Sequence, residues 1–289
     1  MSVPTTLPSV GVVGAGVMGL GIAEVAAQAG CMVAVLESVP QALDSAPVRL
    51  LASLNRAKKK GRLAEEPSDV LSRITFSSAP QTLTGATLVL EAIRETVEDK
   101  LALIRLLDEV LAPTSIIATN TSSIPVAHLA QASTHPGRVI GLHFFNPVPS
   151  MALVEVIPSL LTDQSTTDAV TRFATETLGK QAVLAPDRSG FLVNAILVPY
   201  LLSAIRSLEQ HVASRDDIDA GMVGGCGMPM GPLRLCDLIG LDTMLLVAQS
   251  LYAEHLDAAF APPALLSRHV DAGWLGRKTG RGFYDYTAA

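Results

Sequence analysis

Three glycines near the N-terminus, in the stretch "VGVVGAGVMGLGIA" beginning at Val10, restrict the fold of this chain more than any other feature. The run Val10–Val13 is short and β-branched, as a strand buried on both faces should be. Gly14, Gly16 and Gly19 then fit G-x-G-x-x-G, with Val17 and Met18 in the last two variable places. An alanine-rich helical pattern follows to Gly30, which reads as its C-cap, and a second strand, Met32–Leu36, ends at Glu37. In such a unit the first glycine makes a tight turn, the second lets backbone approach a pyrophosphate, and the third lets helix lie close on strand. The helix N-terminus offers N–H groups and a positive dipole end to phosphate. An acid about twenty residues on is placed for an adenosine ribose hydroxyl. Gly14, Gly16, Val17, Met18, Gly19 and Glu37 are therefore candidate dinucleotide contacts. Glu37 argues for NAD over NADP, because it repels a 2′-phosphate and no arginine follows it directly; the plainer alternative is a solvated strand end.

Past Glu37 the pattern continues to alternate. A helix is expected over "VPQALDSAPVRLLASLNRAKKKGRLAEE", kinked or divided by Pro47. It ends in Lys58, Lys59 and Lys60, which read either as a solvated end favoured by the helix dipole or as a holder for an anionic part of a substrate. "RITFSS" and "ATLVLEAI" read as strands, with Glu91 and Glu95 closing the second, and a helix follows from about Glu98 to Leu111. "SIIATNTSSIPVAHLA" reads as strand, loop and helix. Its Asn120, Thr121, Ser122 and Ser123 stand where an open parallel sheet places ligand contacts, although turn and cap chemistry favours the same residue types. One of the two serines is expected to cap the helix.

Alternation over residues 9–185 indicates an α/β, Rossmann-type doubly wound sheet. Beyond "VLAPDRSG" only helical periodicities remain, at 190–212, 215–225, 231–257 and 262–272, closing in a loop and short extended tail, "GWLGRKTGRGFYDY". The expected domains are 1–186, binding NAD, and 187–289, a mostly α-helical C-terminal domain. Hydrophobic residues make up 49% and charged residues 17%, which excludes a disordered chain, and a net charge of −6 without a long basic face argues against nucleic acid. "MSVPTTLPS" has neither the basic nor the apolar region of a signal peptide. "FLVNAILVPYLLSAI" is interrupted by Asn194 and Pro199 and is too short to span a bilayer, so no membrane association is expected. Cys31, Cys226 and Cys236 are odd in number, show no metal spacing and read as reduced thiols of a cytoplasmic protein.

One histidine and one glutamate stand in the otherwise uncharged stretch "LHFFNPVPSMALVEV". His143 ends a strand over 138–143, and Glu155 lies in a strand over 152–157. The turn between them holds two prolines and an asparagine, and so short a connection favours antiparallel neighbours. Pro149 is equidistant from both residues, so a chain folded there sets them face to face. A carboxylate on one imidazole nitrogen fixes the tautomer and raises the basicity of the other, which can then take a proton. A buried His–Glu pair kept for structure is the competing reading. Beside a nicotinamide the balance shifts, because alcohol oxidation needs a base for the O–H proton.

The stretches "GVVGAGVMGLGIA", "NTSSIPV", "GLHFFNPVPSMALVEVI", "GFLVNAILVPYL", "GGCGMPMGPLRLCDLIGLDT" and "GRKTGRGFYDY" together resemble the 3-hydroxyacyl-CoA dehydrogenase family, in its short single-function form of the 3-hydroxybutyryl-CoA dehydrogenase type. The resemblance covers nearly the whole chain in order. It implies an NAD-dependent oxidoreductase interconverting L-3-hydroxyacyl-CoA and 3-oxoacyl-CoA, with a Rossmann-type NAD domain and a helical domain that dimerises. It further implies His143 as general base with Glu155 as its orienting partner, and Ser122 and Asn194 as hydrogen-bond partners of substrate oxygens. Glu95, Lys100 and Asn146 match positions along the nicotinamide half of the cofactor, and Lys58–Lys60 fall where the family sets basic residues against the CoA adenosine phosphate. Pro47 and Arg94 depart from the usual family pattern; Arg94 either adds an anion contact or points into solvent. Related proteins leave three alternatives open: the same chemistry on an acyl-carrier-protein thioester, as in polyketide extender-unit biosynthesis; oxidation of free hydroxy acids or sugar acids, against which the lysine cluster argues; and a non-catalytic, crystallin-like NAD-binding protein.

Overall fold

The computed structural model describes residues 9–287; the stretch weighed above as a signal peptide lies almost entirely outside them. Contacts divide the chain after Arg188 into two compact units. In the first, eight strands form one sheet: β1 (Ser9–Val13), β2 (Met32–Leu36), β3 (Ile74–Ser77), β4 (Leu88–Glu91), β5 (Ile116–Thr119), β6 (Val139–Phe144), β7 (Leu153–Ile157) and β8 (Gln181–Leu184). Their order is β3-β2-β1-β4-β5-β6-β7-β8, parallel except where β7 turns back beside β6. The chain winds outward from β1 in one direction and resumes from β4 in the other, so the switch point falls between β1 and β4.

Strand alternation explains why both faces are covered. Val10, Val12, Val33, Val35, Leu88 and Leu90 join one core, and Val13, Leu36, Val89 and Ile117 join the other. Helices α1 (Val17–Gln28) and α2 (Pro40–Lys59) close the first face, through Ile22, Leu50 and Leu54. The short α3 (Pro67–Leu71) follows, then α4 (Val97–Val110) and α5 (Val126–Ala130), which close the second through Leu103, Ile104, Leu107 and Leu129. Gly30, with φ +87°, ends α1 as expected: its N–H donates to Ala27 O and that of Cys31 to Ala26 O, a paired cap for the last carbonyls. Helix α2, in contrast, runs undivided for 20 residues through Pro47. Pro47 has no N–H for the Leu43 carbonyl, but Ala46, Leu50 and Leu54 are buried on the sheet and hold the helix across that gap.

The segment leading into β6 is tied to α4 by charge. Asp108 accepts from Ser133 Oγ (2.7 Å), from the backbone N–H of Thr134 and from Arg138 Nη2 (2.5 Å), all beside β6. Burial alone would raise its carboxyl, but Arg138 and these donors outweigh it and bring the pKa down to about 2. A carboxylate depressed in the folded state stabilises above its unfolded pKa and ceases to as pH falls through the folded one. Asp108→Asn is therefore expected to lower stability at pH 7. Urea melts at falling pH should show the gap to wild type closing between about pH 4 and pH 2.

After α6 (Gln164–Arg172) and β8, the second unit is helical: α7 (Val193–Glu209), α8 (Arg215–Cys226), α9 (Pro232–Ile239), α10 (Leu241–His255) and α11 (Ala264–Asp271). The single helix expected over 231–257 is two. Gly240 at φ +102° breaks it, and α10 leaves α9 at 97°. The C-terminal tail is fastened by two buried carboxylates. Asp237 accepts from Phe283 N, Tyr284 N and Tyr286 Oη at 2.9–3.0 Å, and Asp219 accepts from Leu233 N at 2.8 Å and Tyr284 Oη at 3.0 Å. Among the described residues no single helix is long and apolar enough to cross a membrane, and all three cysteines are free thiols.

Candidate active site

The glycine turn sits at the carboxyl end of β1, at the switch point. Gly14 has φ +101°, and its N–H donates to Leu36 O at 2.8 Å, binding the turn to β2. A Cβ on Gly19 would stand 1.8 Å from Gly14 O, so only glycine lets α1 start so close to the strand. A Cβ on Gly16 would meet nothing within 4 Å. That open space faces the first turn of α1, where the N–H groups of Val17, Met18 and Gly19 have no acceptor within the helix. The turn thus has the form a pyrophosphate requires. Glu37, half buried at the end of β2, accepts from Ala15 N–H (2.7 Å) and Val39 N–H (2.9 Å). It is tied to the glycine turn and is not a freely solvated strand end.

His143 and Glu155 are directly opposite in the β6–β7 pair. His143 Nδ1 lies 2.7 Å from Glu155 Oε2, and both residues are buried, Glu155 completely. On the other side of the ring, Nε2 lies 3.0 Å from Ser122 Oγ. The ring of Phe145 meets the imidazole edge-on with centroids 4.8 Å apart. With the carboxylate on Nδ1 the ring carries its proton there, so Nε2 is the acceptor facing Ser122. Asn120 Oδ1 takes the Phe144 N–H at 2.8 Å and holds the ends of β5 and β6 together.

Glu95 organises the loop that delivers Ser122. Its Oε1 accepts from Thr121 Oγ1 (2.6 Å), Ser122 N (2.8 Å), Ser123 N (3.1 Å) and Ser123 Oγ (3.1 Å). Its Oε2 lies 3.3 Å from Lys100 Nζ, which also donates to Glu91 Oε1 at 2.6 Å. Glu91 Oε2 in turn takes Thr119 Oγ1 at 2.6 Å. Burial pushes the Glu95 carboxyl up, but Lys100, Thr121 and the Ser122 N–H outweigh it and bring it below the usual carboxylate range. Both serines are engaged here, and neither caps α5. Asp187 does so from far along the chain, accepting from Val126 N (2.6 Å) and Ala127 N (2.8 Å).

Asn146 joins Val17, Leu20, Arg49, Ser53 and Arg56 around a cleft of ≈ 240 Å³ on the α1–α2 face. Of the three lysines, Lys58 is committed to Glu66 (3.1 Å) and Ala64 O (2.8 Å), whereas Lys59 and Lys60 are exposed at the end of α2. Arg94 is exposed and pairs with Asp99 at 2.5 Å. Asn194 lies half buried in the first turn of α7, in the second unit. Glu91, Thr119 and Asp187 carried no sequence signal for these roles: Glu91 and Thr119 meet across 28 positions, Asp187 caps a helix 61 positions back, and Lys100 reaches Glu91 from the next helix.

The chain matches two family models in succession: the NAD binding domain of 3-hydroxyacyl-CoA dehydrogenase over residues 9–188 and the C-terminal domain of the same enzyme over 190–286. A 3-hydroxybutyryl-CoA dehydrogenase of Mycobacterium tuberculosis is 48% identical over 96% of this chain and 98% of its own. The crystal structure of FadB2 from M. tuberculosis superposes with TM-score 0.96 at 47% identity, covering 98% of this chain and 100% of that one. That of (S)-3-hydroxybutyryl-CoA dehydrogenase from Ralstonia eutropha gives TM-score 0.93 at 41% identity over 98% and 100%. With a glycine turn shaped for a dinucleotide and both halves of the chain matched in order, this protein belongs to the NAD-dependent 3-hydroxyacyl-CoA dehydrogenase family.

Proposed function

We propose that the protein interconverts L-3-hydroxybutyryl-CoA and acetoacetyl-CoA with His143 as the proton-transferring residue. The observation that carries this reading is the line Ser122 Oγ, His143 Nε2, His143 Nδ1, Glu155 Oε2, with links of 3.0 and 2.7 Å. Bound NAD supplies the hydride acceptor. In the oxidative direction the 3-hydroxyl proton passes to Nε2, and Glu155 on the opposite nitrogen stabilises the imidazolium that forms. Ser122 Oγ donates to the substrate oxygen from the position it holds against Nε2, and Glu95, by binding the Ser122 and Ser123 N–H groups, keeps that hydroxyl in place. Asn194 is assigned a second hydrogen bond to the substrate. Gly14, Gly16, Val17, Met18, Gly19 and Glu37 hold the dinucleotide, with Glu95, Lys100 and Asn146 toward its nicotinamide half. The protein is assigned to the cytoplasm, which its three free thiols favour. Leu238 and Leu246, 50% and 68% exposed on the second unit, are assigned to a homodimer interface.

CoA is assigned to the exposed lysines. Lys59→Ala/Lys60→Ala is expected to raise KM for acetoacetyl-CoA about tenfold, roughly 1.4 kcal/mol, with kcat little changed. The check is NADH oxidation with acetoacetyl-CoA beside the same acyl group on acyl carrier protein. Turnover on the carrier thioester alone, or a KM indifferent to the lysines, would move the substrate away from CoA.

A further inference from the structure

No arginine directly follows Glu37 in the sequence, yet the fold brings Arg49 to Ala15, the residue that Glu37 holds. Arg49, exposed on α2, donates through Nη2 to the carbonyl of Ala15. Glu37 Oε2 accepts the N–H of the same residue at 2.7 Å, and Oε1 accepts that of Val39 at 2.9 Å. A carboxylate and a guanidinium thus hold Ala15, inside the glycine turn, from its two ends.

In folds of this kind an acid at this place bonds the adenosine 2′-hydroxyl, whereas an arginine nearby accommodates a 2′-phosphate. This chain has both. A phosphomonoester carries roughly −1.5 to −2 charge at pH 7 and asks for a cation and several N–H donors. The Ala15 and Val39 N–H groups are such donors, and Glu37 occupies both. Arg49 supplies the cation, in a planar fork of five N–H donors suited to phosphate. The Glu37 carboxylate opposes a phosphate here, through its charge and by holding the amides.

We infer that Arg49 is a latent ligand for the 2′-phosphate of NADP, kept out of use by Glu37, so that cofactor choice rests on a single carboxylate. The inference depends on Glu37 standing at the adenosine ribose. It does not depend on the thioester substrate, and it can be tested with no substrate present.

The experiment is calorimetric titration of the full-length chain with NADH and with NADPH, in wild type, Glu37→Ser, Arg49→Ala and the double variant. Glu37→Gln serves as the isosteric companion to Glu37→Ser. Either change at Glu37 should weaken NADH several-fold, and Glu37→Ser should tighten NADPH at least tenfold. Adding Arg49→Ala should remove most of that gain, whereas Arg49→Ala alone, with Glu37 in place, should leave the ratio of NADPH to NADH affinity little changed. A gain on NADPH that survives Arg49→Ala would overturn the inference. NADH affinity unmoved by both Glu37 variants would remove Glu37 from the ribose, and the inference with it, while leaving the reading of His143 intact.

Discussion

His143→Gln is expected to cut kcat about a thousandfold, the middle of the range that a positioned acid–base group contributes. Glutamine fills a similar volume and can keep a hydrogen bond toward Glu155, but it has no nitrogen that accepts a proton at neutral pH. KM for NADH should hold, because the glycine turn lies at the end of β1 and His143 at the end of β6, across β4 and β5. The comparison that decides it is steady-state kcat against NADH affinity, with a thermal melt to show that the variant is folded. A drop in stability is also expected, since Glu155 is fully buried and loses its aromatic partner. Near-normal turnover with intact cofactor binding would remove His143 from the chemistry.

Lys100→Met should be the most destabilising single change. Lys100 is 1% exposed and stands between two carboxylates, Glu91 at 2.6 Å and Glu95 at 3.3 Å. Removing the cation leaves Glu91, itself 1% exposed at its side chain, as an uncompensated buried charge. Breaking a buried pair in this way costs about 3–5 kcal/mol. The loss reaches the site as well, because Glu95 holds the Ser122 loop through four bonds to one oxygen. Equilibrium urea unfolding measures the first effect, and kcat at a temperature where the variant remains folded measures the second. A double variant, Lys100→Met/Glu91→Gln, should recover part of the stability by removing the stranded charge.

What could be read from the chain and what could not divides by range. The glycine turn, its flanking strands and the acid at the end of β2 are local and were legible. So was the facing of His143 and Glu155, because a tight connection centred on Pro149 sets the register of an antiparallel pair. The break at Gly240 was hidden because an apolar periodicity runs through it, and one glycine in a helical pattern is usually tolerated. Pro47 does not divide α2, since burial of Leu50 and Leu54 outweighs one missing hydrogen bond. The α5 cap went to Asp187, 61 residues past Val126, where local capping rules assigned a serine. Arg49 reaches back 34 residues to Ala15, and no spacing in the sequence announces that contact.

Stereospecific oxidation of a 3-hydroxyacyl thioester, with His143 taking the proton, is the activity expected of this site. The assay offers NAD⁺ with (3S)-3-hydroxybutyryl-CoA and, separately, with the (3R) enantiomer, and follows NADH at 340 nm. Steady NADH formation is expected from the S substrate and none from the R. No NADH from either enantiomer, in a protein that binds NADH in the calorimeter, would contradict it and leave a dinucleotide-binding protein without this chemistry.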